Sequence, residues 1–222
     1  MVELKKIIED MGVSDYGFGN VRGLIPENWS DLDQSISIFV ELSRPLVDDI
    51  KSQGPTKTYF AHYRAMNNYI NEITLKIVMY LQKKGYRAVA IPASQTVSES
   101  SDIRGVFQHR TAATVSGKGW IGKSGMFIHE TIGPSVRMGT VLTNFKLPVG
   151  SPVKEGKCGR CRECVIACPA MAIEGTEWRA GIDRIELYDA KACSDYMKES
   201  YMHIGRGSVC GICMAVCPFN KK

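Results

Sequence analysis

Apolar residues recur along this chain at helical spacing in some stretches and at strand spacing in others. Near the N-terminus Leu4, Ile7, Ile8 and Met11 share one helical face, and Gly12 suits the position just past a helix end. Ser35 to Glu41 reads Ser-Ile-Ser-Ile-Phe-Val-Glu, the alternation of a strand. A long helix is expected from about Lys57 to Lys84, with Tyr59, Tyr63, Met66, Ile70, Ile73, Ile77 and Leu81 on its apolar side and Gly85 as its stop. Arg87 to Ile91 reads as a short strand ended by Pro92, and Gly105 to Ser116 as a helix halted at Gly117. Met126 to His129 and Val136 to Asn144 read as strands around a Gly133-Pro134 turn. Mixed elements joined by antiparallel turns make an α+β domain. The segment from Lys146 to Lys157 carries two prolines and two glycines and reads as a linker. The expected division is therefore 1–147, an α+β domain for cofactor and substrate, and 148–222, where periodicity fades and cysteine spacing takes over.

Composition narrows the class. The chain has 222 residues, 44% hydrophobic and 23% charged, as in a soluble globular protein with a sizeable core. Its longest apolar stretch, Ile73 to Leu81, is broken by Lys76 and is too short to span a bilayer. The opening Met-Val-Glu-Leu-Lys-Lys has no apolar core of signal-peptide type, so the expectation is a cytoplasmic protein with no membrane partner. A formal charge of +5 suggests nucleic acid at first sight. If eight thiolates hold two oxidised iron–sulfur cubes, each unit carries about −2 and the loaded protein sits near about +1. That balance argues against a nucleic-acid partner.

All eight cysteines lie beyond residue 157, a clustering that favours metal over disulfides. The first set is Cys158-x2-Cys161-x2-Cys164-x3-Cys168-Pro169, the spacing of bacterial two-cluster ferredoxins. The second is Cys210-x2-Cys213-x3-Cys217-Pro218, with Cys193 upstream. Two-residue gaps turn three thiolates towards three irons of one cube. The fourth cysteine, expected at the start of a short helix, points into the neighbouring cube. This crossover predicts Cys158, Cys161, Cys164 and Cys217 on one [4Fe–4S] cluster, and Cys168, Cys193, Cys210 and Cys213 on the other. Two four-cysteine zinc sites would use the same ligands, but zinc ribbons set their pairs far apart. Two iron–sulfur clusters imply one-electron chemistry.

Gly117-Lys-Gly-Trp-Ile-Gly122-Lys123-Ser124 satisfies the phosphate-loop pattern, and Gly117, Gly119 and Gly122 satisfy the dinucleotide pattern. Both need a strand before and a helix after. Here the order is reversed, and Trp120 would crowd a phosphate. The segment reads instead as a close backbone approach to something flat.

The chain resembles the epoxyqueuosine reductase family, relatives of the reductive dehalogenases. The resemblance rests on Gly117-Lys-Gly-Trp-Ile-Gly-Lys123, Gly133-Pro-Ser-Val-Arg137, Gly139-Thr-Val-Leu-Thr143 and the two cysteine sets. It implies a cobalamin-binding domain of nitroreductase-like fold, followed by a ferredoxin-like two-cluster domain that feeds electrons to the cobalt. A flavin is the alternative flat cofactor for such a pocket. The cofactor-binding residues then implied are Gly117, Gly119, Trp120, Gly122, Lys123, Ser124 and Arg137, and the proton-donating acid nearest the expected place is Asp102. His62, Arg64, His109 and Arg110 are further contacts for corrinoid amides or an anionic substrate. His203 and Arg206 are expected to cover the second cluster. No counterpart of the family's C-terminal helical-repeat region, which grips tRNA, follows Cys217-Pro-Phe-Asn220, so a smaller or different substrate is expected. The resulting expectation is a corrinoid-linked iron–sulfur reductase fed by ferredoxin or flavodoxin. The alternatives are an electron-transfer protein that reactivates a corrinoid protein or other redox partner, and a minimal tRNA epoxyqueuosine reductase.

Overall fold

The structure, a computed structural model, describes residues 1–95 and 103–220. Its elements run α1 (Val2–Asp10), β1 (Asp15–Asn20), β2 (Gln34–Glu41), α2 (Arg44–Gln53), α3 (Lys57–Lys83), β3 (Ala88–Ile91), α4 (His109–Val115), β4 (Gly119–Ile121), β5 (Phe127–His129), β6 (Val136–Thr143), α5 (Glu163–Ala167), α6 (Ala190–Tyr201) and α7 (Ile212–Ala215). Four strands form an antiparallel sheet in the order β1-β2-β6-β3, and β4 pairs with β5 as a separate hairpin. The α+β expectation holds.

The central strand β2 is buried on both faces except at Glu41. Its alternation assigns the faces. Ile36, Ile38 and Val40 join Leu4 and Ile8 of α1 and Ile70, Ile73, Ile77 and Leu81 of α3 in the largest apolar cluster. Burying each Ile or Leu side chain there contributes about 2 kcal/mol. Ser35, Ser37 and Phe39 point the other way, beneath α4, where Phe39 packs with Ala113 and Phe127. The small serines let α4 approach closely, and its residue Val115 nearly touches Gly19 of β1.

Helix α3 begins at Thr56, whose hydroxyl accepts from the Tyr59 N–H at 3.1 Å, and stops where Gly85 turns left-handed at φ 84°. Helix α4 starts at His109, not at Gly105 as expected. Gln108 is extended, and Phe107 is drawn into a cluster with Leu32 and Ile91, so the chain before His109 follows that wall rather than a helix axis. Strand β1 escapes a pattern search because glycines occupy its positions 17 and 19. Helix α2 escapes because only Val47 and Ile50 are buried, although Pro45 in its first turn is a start signal. Helix α6 is capped by Asp189, whose carboxylate accepts from the N–H groups of Lys191 and Ala192.

The expected linker is fastened to both sides. Gly150 N–H donates to Phe18 O at 2.8 Å, Val153 N–H to Thr114 O at 2.9 Å, and Gly156 N–H to Trp178 O at 2.7 Å. Two apolar clusters are built from both sides of it. One joins Leu42, Ile50, Tyr59 and Phe60 to Val209, Met214 and Ala215. The other joins Trp120 and Ile128 to Trp178 and Leu187. The cysteine-rich part thus completes the core of the first part.

Candidate metal centre and adjoining cavity

All eight cysteines carry free thiols and are half-buried. Three of the first set lie on the 158–164 loop and the start of α5, while Cys168 ends that helix in extended conformation. The expectation that Cys168 would begin a helix is corrected: α5 spends its single turn before Cys168, and the extended backbone there turns the thiol away. Helix α5 packs on α7, which carries Cys213 and is followed by Cys217. This pairing brings together sulfurs distant in sequence. Cys217 lies in the field of Cys158, Cys164 and Cys161, and Cys193 in that of Cys168 and Cys210. Cys213 feels Cys210, Cys193 and Cys168, and also Cys164 of the first set, so the two groups are adjacent.

Burial pushes Cys193 and Cys217 up to about 11, with neighbouring thiols adding to the rise. Burial raises Cys213 further still. These thiols are neutral near pH 7 until a cation draws off their protons, so metal uptake releases protons. Among the described residues no three His, Cys, Asp or Glu side chains stand close enough to hold a single metal ion. A cubane, in which each thiolate binds its own iron, has wider sulfur separations than one tetrahedral zinc. Buried donors also await sulfur. Ala172 N–H donates to Cys168 Sγ at 3.4 Å. Trp120 Nε1 is buried and turned towards the Cys158 sulfur, in an apolar cluster that also takes in Cys217. The donor set fits two clusters.

The Gly-Trp segment lies against these cysteines and against protein backbone. Helix α4 precedes it and β4 lies within it, so the phosphate-loop order is absent. At Gly119 a Cβ would lie 2.1 Å from Ile128 O, and at Gly117 2.6 Å from Ser151 O; both glycines admit protein backbone. A Cβ at Gly122 would sit 2.6 Å from Ile128 Cδ1 and 3.5 Å from Cys158 Sγ. Trp120 meets Phe219 edge-on at 5.1 Å. Lys123, 7% exposed, donates from Nζ to Gly159 O at 2.6 Å and Cys161 O at 3.2 Å. None of these five residues lines the large cavity described next; Ser124 and Arg137 do. Gly133 has its own role: at φ 86° it receives Phe219 O, which would lie 2.2 Å from a Cβ, and neighbouring Ser135 Oγ–H donates to Asn220 Oδ1 at 2.6 Å.

The cavity, of about 730 Å³, opens between the two parts of the chain. Cys168, Cys193, Cys210 and Cys213 all line it, whereas Cys158, Cys161, Cys164 and Cys217 do not. Part of the space therefore belongs to an inorganic core. The remainder is bounded by Tyr63, His109, Arg110, Ser124, Arg137 and Tyr188. A second hollow of about 1030 Å³ shares Arg104 to Gln108, Arg110 and Tyr188 with it.

Arg137 lies 4.3 Å over the Tyr63 ring and donates from Nε to Asn67 Oδ1 at 3.1 Å. Burial alone would raise the Tyr63 phenol. The Arg137 charge and hydrogen bonds with Ser94, Asn67 and Arg137 outweigh it, leaving the pKa below the usual tyrosine value. Sequence reasoning placed Tyr63 only on an apolar helix face, because the pairing with Arg137 spans 74 positions and follows from α3 packing on β6. His109 Nε2 lies 3.0 Å from Pro92 O and its Nδ1 2.8 Å from Thr140 Oγ1, which fixes one tautomer. Arg110 donates to Gly125 O and to Tyr188 Oη. His62 Nε2 accepts from Ser43 N–H, and Arg64 donates to Arg206 O; neither lines the cavity. His203 and Arg206 are exposed, and Gly205 between them packs on Phe60. Asp102 lies outside the described residues; Gln95 and Ile103 on either side of that stretch line the cavity.

Comparisons agree with this arrangement. A family described as a 4Fe-4S double cluster binding domain matches residues 157–220. Epoxyqueuosine reductase of Vibrio cholerae is 26% identical over 186 residues, covering 75% of this chain and 44% of the relative. Tetrachloroethene reductive dehalogenase of Sulfurospirillum multivorans is 33% identical over 128 residues, covering 53% and 24%. A solved catabolic reductive dehalogenase in complex with 3-bromo-4-hydroxybenzoic acid shares the fold at TM-score 0.75 and 17% identity, over 99% of this chain and 31% of that one. Epoxyqueuosine reductase from Streptococcus thermophilus shares it at 0.64 and 20%, over 100% and 66%. The chain spans less than half the length of the first curated relatives it matches. With its cysteine spacing, its fold and these similarities taken together, the chain carries a double [4Fe–4S] domain over residues 157–220 and is similar to the epoxyqueuosine reductases and reductive dehalogenases.

Proposed function

We propose that this chain is an iron–sulfur reductase that passes single electrons through two [4Fe–4S] clusters to a corrinoid seated in the cavity. Cys158, Cys161, Cys164 and Cys217 hold the first cluster, and Cys168, Cys193, Cys210 and Cys213 the second. The observation that carries the reading is that one complete ligand set, and only one, lines the cavity. Electrons from a low-potential ferredoxin or flavodoxin in the cytoplasm enter at the first cluster, remote from the cavity, and reach the acceptor from the second.

A corrinoid, when bound, supplies a cobalt centre able to change oxidation state one electron at a time. The cavity offers it an apolar wall with polar side chains at its margin, as small-molecule sites do. Ser124, Gln95 and Gln108 would face corrin amides, and Arg137 would hold the corrinoid or an anionic or polar substrate beside it. Tyr63, with its lowered pKa and its hydrogen bond to Arg137, is placed to deliver a proton, because the guanidinium stabilises the phenolate left behind. Asp102 is the second candidate acid. The reducible substrate is one of the kinds named for the relatives, an epoxyqueuosine or an organohalide.

The test is a spectrum of anaerobically reconstituted protein, followed by titration with cobalamin. About eight irons per chain and saturable cobalamin binding are expected, with Arg137→Ala weakening that binding. Full iron content without cobalamin binding would overturn the corrinoid reading, and a bound flavin spectrum would replace it.

A further inference from the structure

We infer that the Trp120–Lys123 segment raises the reduction potential of the first cluster. The inference rests on the two-cluster reading.

Three groups of this segment face the first cysteine set. Lys123 is the sole lysine or arginine buried among the described residues, at 7% exposure. Its ammonium is tied to Gly159 O at 2.6 Å and Cys161 O at 3.2 Å, within the loop that carries three of the four sulfurs. Trp120, 4% exposed, shares an apolar cluster with Cys158 and Cys217 and turns its buried indole N–H towards the Cys158 sulfur. Gly122, between them, admits the Ile128 side chain and lies beside the Cys158 sulfur, which would be in ordinary contact at 3.5 Å with a Cβ there. One acid opposes them. Glu177 Oε1 accepts from Cys158 N–H at 3.0 Å, while Oε2 is buried 4.0 Å from Lys123 Nζ.

The redox step is a one-electron gain. A low-potential one-electron donor is oxidised, the core passes from 2+ to 1+, and the unit with four thiolates goes from about −2 to about −3. No bond breaks and no proton is required. A fixed positive charge and N–H donors aimed at the sulfurs stabilise the more negative state, and a fixed carboxylate destabilises it. Removing Lys123 or the indole N–H therefore lowers the potential, and neutralising Glu177 raises it.

The experiment is a dithionite titration of the reconstituted full chain followed by electron paramagnetic resonance. Cys161→Ser and Cys210→Ser assign the two signals by altering the line shape of their own cluster. Lys123→Met and Trp120→Phe should each shift the first-cluster midpoint downward by a tenfold change in the oxidised-to-reduced ratio, about 59 mV for one electron. Lys123→Arg should restore it, and Glu177→Gln, which keeps an acceptor for Cys158 N–H, should move it upward. The second cluster should stay where it is. The inference is overturned if the first midpoint stays fixed, if both clusters move alike, or if Glu177→Gln moves it downward. Should Lys123→Met lose iron, Trp120→Phe and Glu177→Gln at full iron content decide the matter. Wild-type protein without about eight irons would instead refute the cluster reading, and this inference with it.

Discussion

His109 shows how one side chain's surroundings give the cavity a pH dependence. Burial depresses its pKa to about 4, against a weaker upward pull from the Pro92 carbonyl, so the ring is neutral near pH 7. Its unfolded value is about 6.5. Between those values the unfolded chain binds a proton that the folded chain refuses, so stability falls as pH drops through the window. The loss is on the order of 2 kcal/mol at pH 5. His109→Gln should flatten that part of the profile, as read from urea midpoints of the anaerobic protein at pH 7 and pH 5. An unchanged slope in the variant would show that the ring does not titrate as stated. Only the identity of this residue and its place before the Gly-Trp segment were legible in sequence. Its two partners, Pro92 just past β3 and Thr140 of β6, arrive from elsewhere in the chain.

At the scale of elements, α3 is one helix with two tasks. Its C-terminal half, with Ile70, Ile73, Ile77 and Leu81, seals the sheet. Its first turns, with Tyr59 and Phe60, seal the segment that carries the second cysteine set. Phe60 is 2% exposed, and its ring leaves no room for a side chain at Gly205. Phe60→Ala should cost about 3–4 kcal/mol and bleach the second cluster at lower denaturant than the first. Leu75→Ala, on the outer face at 54% exposure, is the control and should shift stability by less than about 0.5 kcal/mol. Equal losses in both variants, by visible absorbance during urea titration, would contradict this division. Periodicity found the helix because both tasks use the same 3.6-residue spacing. It did not reveal the partners, which differ at the two ends.

Across the whole molecule, the apolar clusters are unequally dependent on the cysteine-rich part. The cluster between sheet, α1 and α3 draws its members from residues 4–147. The clusters around Tyr59 and Trp120 need residues beyond 150. Stripping iron with a chelator should therefore raise hydrogen exchange in α2, the first turns of α3 and the β4-β5 hairpin, while β1, β2, β6 and β3 stay protected. Mass-spectrometric exchange showing uniform loss across both groups would make the molecule one cooperative unit instead. Among the described residues no helix is long and apolar enough to cross a membrane.

The cysteine spacing and the long periodic stretches were sufficient to set out the metal chemistry and the α+β class, because metal-ligand loops and amphipathic helices are local objects written in consecutive residues. The pairing of Tyr63 with Arg137, the return of Gly117–Lys123 onto Cys158, and the meeting of one cysteine set with a cavity were decided only by tertiary structure. Each joins residues whose separation along the chain carries no signal: a glycine that admits a distant carbonyl looks, in sequence, like one that admits a ligand.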